Sequence, residues 1–232
     1  MMVTKRLFCV LLVLLMTHCF SSAAAQQTST DDPDPLRFEE QIEQFKTWNK
    51  KNSFPSNAIL FVGSSSIRLW ETASAFPDLP VINRGFGGSQ ISDVRHYYDT
   101  VIAPYDPALI VFYEGDNDIN YDKPVDQVFS DYKQLVERIL DDHPDVDFLY
   151  IPIKPSNSRW NYWPKMNKVN QLVKDYNSKH SQLHYVDLAT PLLKDDGKPD
   201  NGFFLDDQLH LNEKGYEKWN ETIYPVLKKL SP

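Results

Sequence analysis

Asp207 and His210 stand three residues apart in FFLDDQLHLNEKGY (203–216), just ahead of the last segment of helical period. A carboxylate and an imidazole at this spacing meet across a single turn: the Asp accepts Nδ1–H and leaves Nε2 free to take a proton. That is the acid–base half of a hydrolytic triad, and it requires a hydroxyl nucleophile from elsewhere in the chain. The plainer reading is a charged surface turn, since D-x-x-H recurs by chance. Three other stretches carry complementary chemistry. GSSSIRLW (63–70) offers serines after a glycine, either a nucleophile or a Ser-rich helix cap. NRGFGGSQ (83–90) contains Gly85, Gly87 and Gly88, which let the backbone approach a ligand and present N–H groups, or form an ordinary Gly-rich loop. EGDNDI (114–119) brings the side-chain donor of Asn117, or is an Asn/Asp turn.

These four stretches gain weight from the elements between them. Apolar runs of strand character fall at AILFVG (58–63), PVINRG (80–85), ALIVFYEG (108–115), DFLYIPI (147–153) and LHYVDL (183–188). Helical period marks QISDVRHYYDTVI (90–102), VDQVFSDYKQLVERILDDH (125–143) and KMNKVNQLVKDYNSKH (165–180). Strand alternating with helix predicts a parallel sheet covered on both faces. Ligands of such a sheet sit at the carboxyl ends of its strands. The serines, the glycines and Asn117 each follow a strand, so all are expected on one edge. Ahead of the first strand, a Pro/Asp-rich stretch becomes a helix with Phe38, Ile42, Phe45 and Trp48 on one face, expected to pack as an N-terminal arm.

With 232 residues, the chain can bury one sizeable core. In its first 25 residues, Lys5 and Arg6 precede the apolar run LFCVLLVLLM, and SSAAA follows before Gln26. The pattern is that of a secretory signal peptide cleaved after Ala25; its apolar core is short of the ~20 residues of a membrane span. The organisation expected is thus a signal peptide (1–25), a linker (26–35) and one domain (36–232), in a secreted or periplasmic protein with no membrane span after cleavage. Cys9 and Cys19 both lie in the leader, which excludes disulfides and thiol catalysis from the mature chain. Loss of Lys5 and Arg6 takes the 24 basic residues to 22 against 32 acidic ones. A protein that acidic is a poor ligand for nucleic acid or anionic lipid.

FVGSSSIRLW, NRGFGGS, GDND and DDQLH resemble the four sequence blocks of the SGNH hydrolases, also called GDSL esterases or lipases. The resemblance runs from about residue 57 to 216, and IKPSNSRWNYWPKMN is similar to a segment of secreted bacterial members. Matched block by block, it places the nucleophile on Ser65 and the Asp-x-x-His pair on Asp207 and His210. The oxyanion hole would be Ser65 and Gly88 through their backbone N–H groups, and Asn117 through its side chain. The usual Gly-Asp-Ser reads Gly63-Ser64-Ser65 here; the replaced Asp is not one of the acyl-transfer groups, and Ser66 is the rival nucleophile if the register is off by one. The fold implied is an α/β, three-layer α/β/α sandwich on a five-stranded parallel sheet, the flavodoxin-like SGNH hydrolase fold.

The chemistry expected is hydrolysis of a small acyl ester through a Ser-His-Asp triad and an acyl-enzyme, with no metal or cofactor required. Short-chain, acetyl-type esters are favoured because no apolar insertion is long enough for a lipase lid, and an O-acetylated carbohydrate is one candidate substrate. In the loop at 154–167, Arg159, Trp160, Tyr162 and Trp163 either line a substrate pocket or pack beneath the loop as a satellite core. Family members also include lipases, lysophospholipases and thioesterases, and a non-catalytic ligand-binding module on the same fold is the reading from another class. An α/β-hydrolase is excluded, since its G-x-S-x-G elbow and distant acid are both missing.

Overall fold

The computed structural model describes residues 32–231; the leader, with Cys9 and Cys19, lies outside them. The strands are β1 (Ala58–Gly63), β2 (Val81–Gly85), β3 (Pro107–Tyr113), β4 (Asp147–Tyr150) and β5 (Leu183–Tyr185). They form one all-parallel sheet in the order β2-β1-β3-β4-β5. The chain runs β1 to β2 outward and then returns past β1 to β3, which creates a topological switch point beside β1.

The helices are α1 (Glu39–Lys51), α2 (Ser65–Arg68), α3 (Thr72–Ala75), α4 (Ile91–His96), α5 (Tyr98–Val101), α6 (Asp116–Asn120), α7 (Val125–Asp142), α8 (Trp163–Asn177) and α9 (Glu213–Leu230). Period-two alternation along the strands sends their side chains to two separate cores. Leu60, Val62, Ile110, Phe112, Phe148 and Tyr150 face α1, α4, α5, α7 and α8. Ile59, Phe61, Leu109, Val111, Tyr113 and Leu149 face α2 and α9, with Trp219, Ile223 and Leu227 on the helix side. Because both faces are covered, β1 and most of β3 are buried end to end, the run of apolar residues visible in the sequence.

Two expectations about the helices are corrected. The segment at 90–102 is broken at Tyr97 into α4 and α5. Trp48 is not a core residue: Phe38, Ile42 and Phe45 are buried, whereas Trp48 is 47% exposed. At about 100° per residue, Asn49 rather than Trp48 falls on the axis of the buried stripe, and Trp48 lies about 80–90° away. Asn49 Oδ1 accordingly accepts from the Tyr105 hydroxyl at 2.7 Å and from Arg84 at 3.2 Å.

Candidate functional site

Each candidate side chain is delivered by the end of an element. Gly63 closes β1 against β3 so tightly that a Cβ there would stand 2.1 Å from the Tyr113 carbonyl oxygen. The chain then turns directly into α2, whose first residue is Ser65. A helix start leaves its leading N–H groups without intrahelical partners, so the Ser65 N–H is available to a ligand. Ser64 and Ser66 are buried, whereas Ser65 is half-buried and lines a cleft of about 650 Å³. Of the three serines, Ser65 is therefore the one presented to that cleft.

After β2, Gly88 adopts φ +88°, a left-handed conformation that glycine takes without cost, and it also lines the cleft. Asn117, on α6 after β3, lines it too. One Asn117 Nδ2 hydrogen donates to the Ser89 carbonyl at 2.8 Å, and Asn117 Oδ1 accepts from Arg159 Nη1 at 3.0 Å. The amide's orientation is fixed from both ends, which leaves its second N–H for the cleft. Ser89 is in turn held by the buried Glu114, whose Oε1 lies 2.5 Å from Ser89 Oγ. Burial raises Glu114 well above the usual carboxylate range, with the Asp118 charge adding to it. The Ser89 hydroxyl is directed between Glu114 Oε1 and the Phe86 carbonyl, the latter at 2.8 Å.

The loop before α9 carries Asp207 and His210. Asp207 Oδ1 accepts the backbone N–H groups of Leu209 and His210, both at 2.9 Å, so the carboxylate folds its own turn. Asp207 Oδ2 lies 2.5 Å from His210 Nδ1, and His210 Nε2 lies 2.9 Å from Ser65 Oγ. With Nδ1–H directed at the carboxylate, Nε2 is the acceptor for the Ser65 hydroxyl. Partial burial alone would raise the Asp207 carboxyl, but the hydrogen bonds from the His210 ring, the His210 N–H and the Leu209 N–H win and lower it to about 2. It is therefore ionised wherever a nearby imidazolium would form. Asn212 secures the loop by donating to the Gly202 and Phe204 carbonyls while its Oδ1 caps α9 at Gly215.

The structure thus brings Ser65, Gly88, Asn117, Arg159 and His210 to one cleft, with Asp207 behind the imidazole. Arg159 is engaged with Asn117 and, at 3.3 Å, with the Asp116 carboxylate. Trp160 and Trp163 depart from the expectation of a substrate-lining role. They stack on one another at 6.0 Å with an interplanar angle of 12°, and Trp163 and Tyr162 pack against the core on the α8 side, outside the cleft lining. Trp163 is the first residue of α8, and Trp160 reaches that side of the molecule only through its stack on Trp163.

The opposite wall was not anticipated: α1 and the turn before it contribute Arg37, Phe38, Glu40, Gln41 and Gln44, and α2 contributes Arg68. The sequence signal was the polar stripe of α1 at 37, 40, 41 and 44, which reads as a solvated face until the arm is docked. Among the described residues no group of three or more His, Cys, Asp or Glu could hold a metal ion, and no helix is long and apolar enough to cross a membrane.

No curated protein sequence matches the chain. Solved structures resemble it closely in fold. A GDSL-like lipase from Bacteroides thetaiotaomicron is 18% identical, with a TM-score of 0.69 over 81% of this chain and 97% of that one. A catalytic mutant of an acetylxylan esterase from Geobacillus stearothermophilus is 14% identical, with a TM-score of 0.61 over 77% and 95%. A carbohydrate esterase family 3 protein from Talaromyces cellulolyticus is 18% identical, with a TM-score of 0.55 over 75% and 97%. At these identities the likeness is one of fold. The family model for GDSL-like lipases and acylhydrolases matches residues 67–218, most of the sheet, α6, Asp207 and His210, so the chain belongs to the GDSL-like lipase/acylhydrolase family.

Proposed function

We propose that this protein is a serine esterase that removes short acyl groups, acetyl foremost, from an alcohol through an acyl-enzyme. The observation that carries the reading is the unbroken run of hydrogen bonds from Asp207 through His210 to Ser65, opening on a cleft that Gly88 and Asn117 also line. Ser65 Oγ attacks the ester carbonyl carbon while His210 Nε2 takes the hydroxyl proton. The Asp207 carboxylate holds the ring and stabilises the imidazolium. The carbonyl oxygen, now negative, receives the N–H groups of Ser65 and Gly88 and the free N–H of Asn117. Collapse expels the alcohol, which leaves with the proton from His210. A water molecule then repeats the sequence on the acyl-Ser65 carbonyl, releasing the carboxylic acid and restoring the hydroxyl.

Short acyl groups fit the walls of the cleft. Phe38 and Leu209 are its large apolar lining residues, and the rest is Arg, Glu, Gln, Asn, Ser, His and Gly. A long hydrocarbon chain would strip water from those polar groups without replacing their hydrogen bonds. The polar walls suit a hydroxylated alcohol such as an O-acetylated carbohydrate. A carbohydrate esterase and an acetylxylan esterase are among the structures that share this fold, which supports that substrate class. Across acetate, butyrate, octanoate and palmitate esters of one alcohol, kcat/KM is expected to peak at acetate or butyrate and to fall at least tenfold by octanoate. A maximum at octanoate or longer rejects short-chain specificity and favours a lipase or lysophospholipase.

Residues 1–25 are taken as an export leader, which makes the mature enzyme secreted or periplasmic. Amino-terminal sequencing of the protein from its native host is expected to begin at Gln26; an intact leader on the working enzyme would reject export.

A further inference from the structure

Trp48, 47% exposed near the end of α1, lines a second cavity of about 420 Å³. Two residues of that cavity, Gln41 and Arg68, also line the cleft that holds Ser65 and His210, so the two spaces meet. Arg68 at the junction lies against Gly87: a Cβ on Gly87 would stand 2.7 Å from Arg68 Nε and would push the guanidinium aside. The second cavity also presents the Glu71 carboxylate and the Ser74 hydroxyl, on exposed residues.

The lining mixes the rings of Trp48, Phe45 and Trp70 with a guanidinium, a primary amide, a carboxylate and hydroxyls; a hydrocarbon chain would cover the rings but leave those polar groups unpaired. A carbohydrate satisfies both kinds of group. Its C–H faces cover an aromatic ring, and its hydroxyls both donate and accept. Distance adds a requirement on length. Gln41, which lines both spaces, and Trp48 are seven residues apart on α1, a rise of about 10 Å, so a ring beside Gln41 in the Ser65 cleft and a ring seated on Trp48 belong to different units of an oligomer.

We propose that Trp48, Gln41 and Arg68 form a subsite for the alcohol portion of the ester, and that this portion is an oligosaccharide whose acylated ring lies at Ser65 and whose further ring stacks on Trp48. The proposal rests on the esterase reading above. It predicts a dependence on ring number that a small ester cannot display.

The test is hydrolysis of acetylated β-1,4-linked gluco-, xylo- and manno-oligosaccharides of one to four rings, with p-nitrophenyl acetate alongside. On at least one backbone, kcat/KM is expected to rise tenfold or more between one ring and three, mainly through KM. In Trp48→Ala the ratio of the three-ring to the one-ring value should shrink below threefold, and Trp48→Phe should restore most of it. Calorimetric titration with the unacylated four-ring oligomers should show binding that Trp48→Ala weakens by about the same factor. Turnover of p-nitrophenyl acetate with no ring-number dependence on any backbone, or a dependence that survives in Trp48→Ala, overturns the subsite while leaving the esterase intact. Absence of turnover of every ester sinks the esterase reading instead, and the titration then decides the subsite alone: no binding, or binding indifferent to Trp48→Ala, overturns it.

Discussion

Ser65→Ala and His210→Ala are each expected to lower kcat for p-nitrophenyl acetate by about 10⁵- to 10⁶-fold, the scale of loss when a nucleophile or its base is removed from a unit that acts together. The geometry explains why the two losses should be nearly equal. Among the described residues Ser65 Oγ has one proton acceptor in reach, His210 Nε2 at 2.9 Å, and without it the hydroxyl remains a weak nucleophile. Without Ser65, the imidazole has no oxygen to activate on the protein, and only the oxyanion donors still act. The double variant should therefore be little worse than either single one. Neither change disturbs the core, since Ser65 is half-buried and His210 belongs to a loop pinned by Asn212, so thermal denaturation should be near that of the wild type. A fluorophosphonate should label the wild type at Ser65 and fail to label Ser65→Ala. If Ser65→Ala keeps wild-type turnover, the nucleophile is not Ser65. If neither turnover nor labelling is found in the wild type, the chain is a ligand-binding module on this fold.

Much of the frame was legible because it is local. The strands show as short apolar runs, since the fold buries them on both faces, and the rule that ligands gather at the carboxyl ends of parallel strands directs attention to 63–66, 85–90 and 114–117. The Asp207–His210 contact was legible because a three-residue spacing closes on itself. What stayed hidden depends on docking between distant segments. The α1 wall of the cleft, with Gln41 and Gln44, comes from an arm whose sequence says only which face is apolar. Trp48 departs from the expected stripe because four apolar residues at roughly helical spacing do not share one axis: the angle per residue sets Trp48 to the side of it. Trp160 and Trp163 have amphipathic rings that suit a pocket and a helix start equally well, and only the onset of α8 at Trp163 decides between them. The pairing of Arg159 with Asn117 spans 42 residues and has no sequence signature at all.

That last pairing shapes the second large effect. Asn117→Ala should lower kcat by about 10²- to 10³-fold, about 2.7–4 kcal/mol of transition-state stabilisation, with KM little changed. The reason is that the second N–H of Asn117 meets full negative charge only when the carbonyl oxygen becomes an oxyanion, whereas the ground-state carbonyl gains little from it. Asn117→Asp is the sharper variant, because it keeps the shape and the acceptor for Arg159 but replaces the donor with a carboxylate, which repels the oxyanion; its loss should exceed that of Asn117→Ala. Arg159 acts one step back. Its guanidinium donates to Asn117 Oδ1 at 3.0 Å and is held in turn by Asp116 at 3.3 Å, so on the proposed mechanism it orients the amide rather than donating to the oxyanion. Arg159→Ala should therefore cost kcat less than Asn117→Ala, and in the Asn117→Ala background it should cost almost nothing more, since there is no amide left to orient. The double-mutant cycle reads this directly. Additive losses would make Arg159 an independent substrate contact, and a loss in Asn117→Ala confined to KM would make Asn117 a ground-state contact rather than an oxyanion donor.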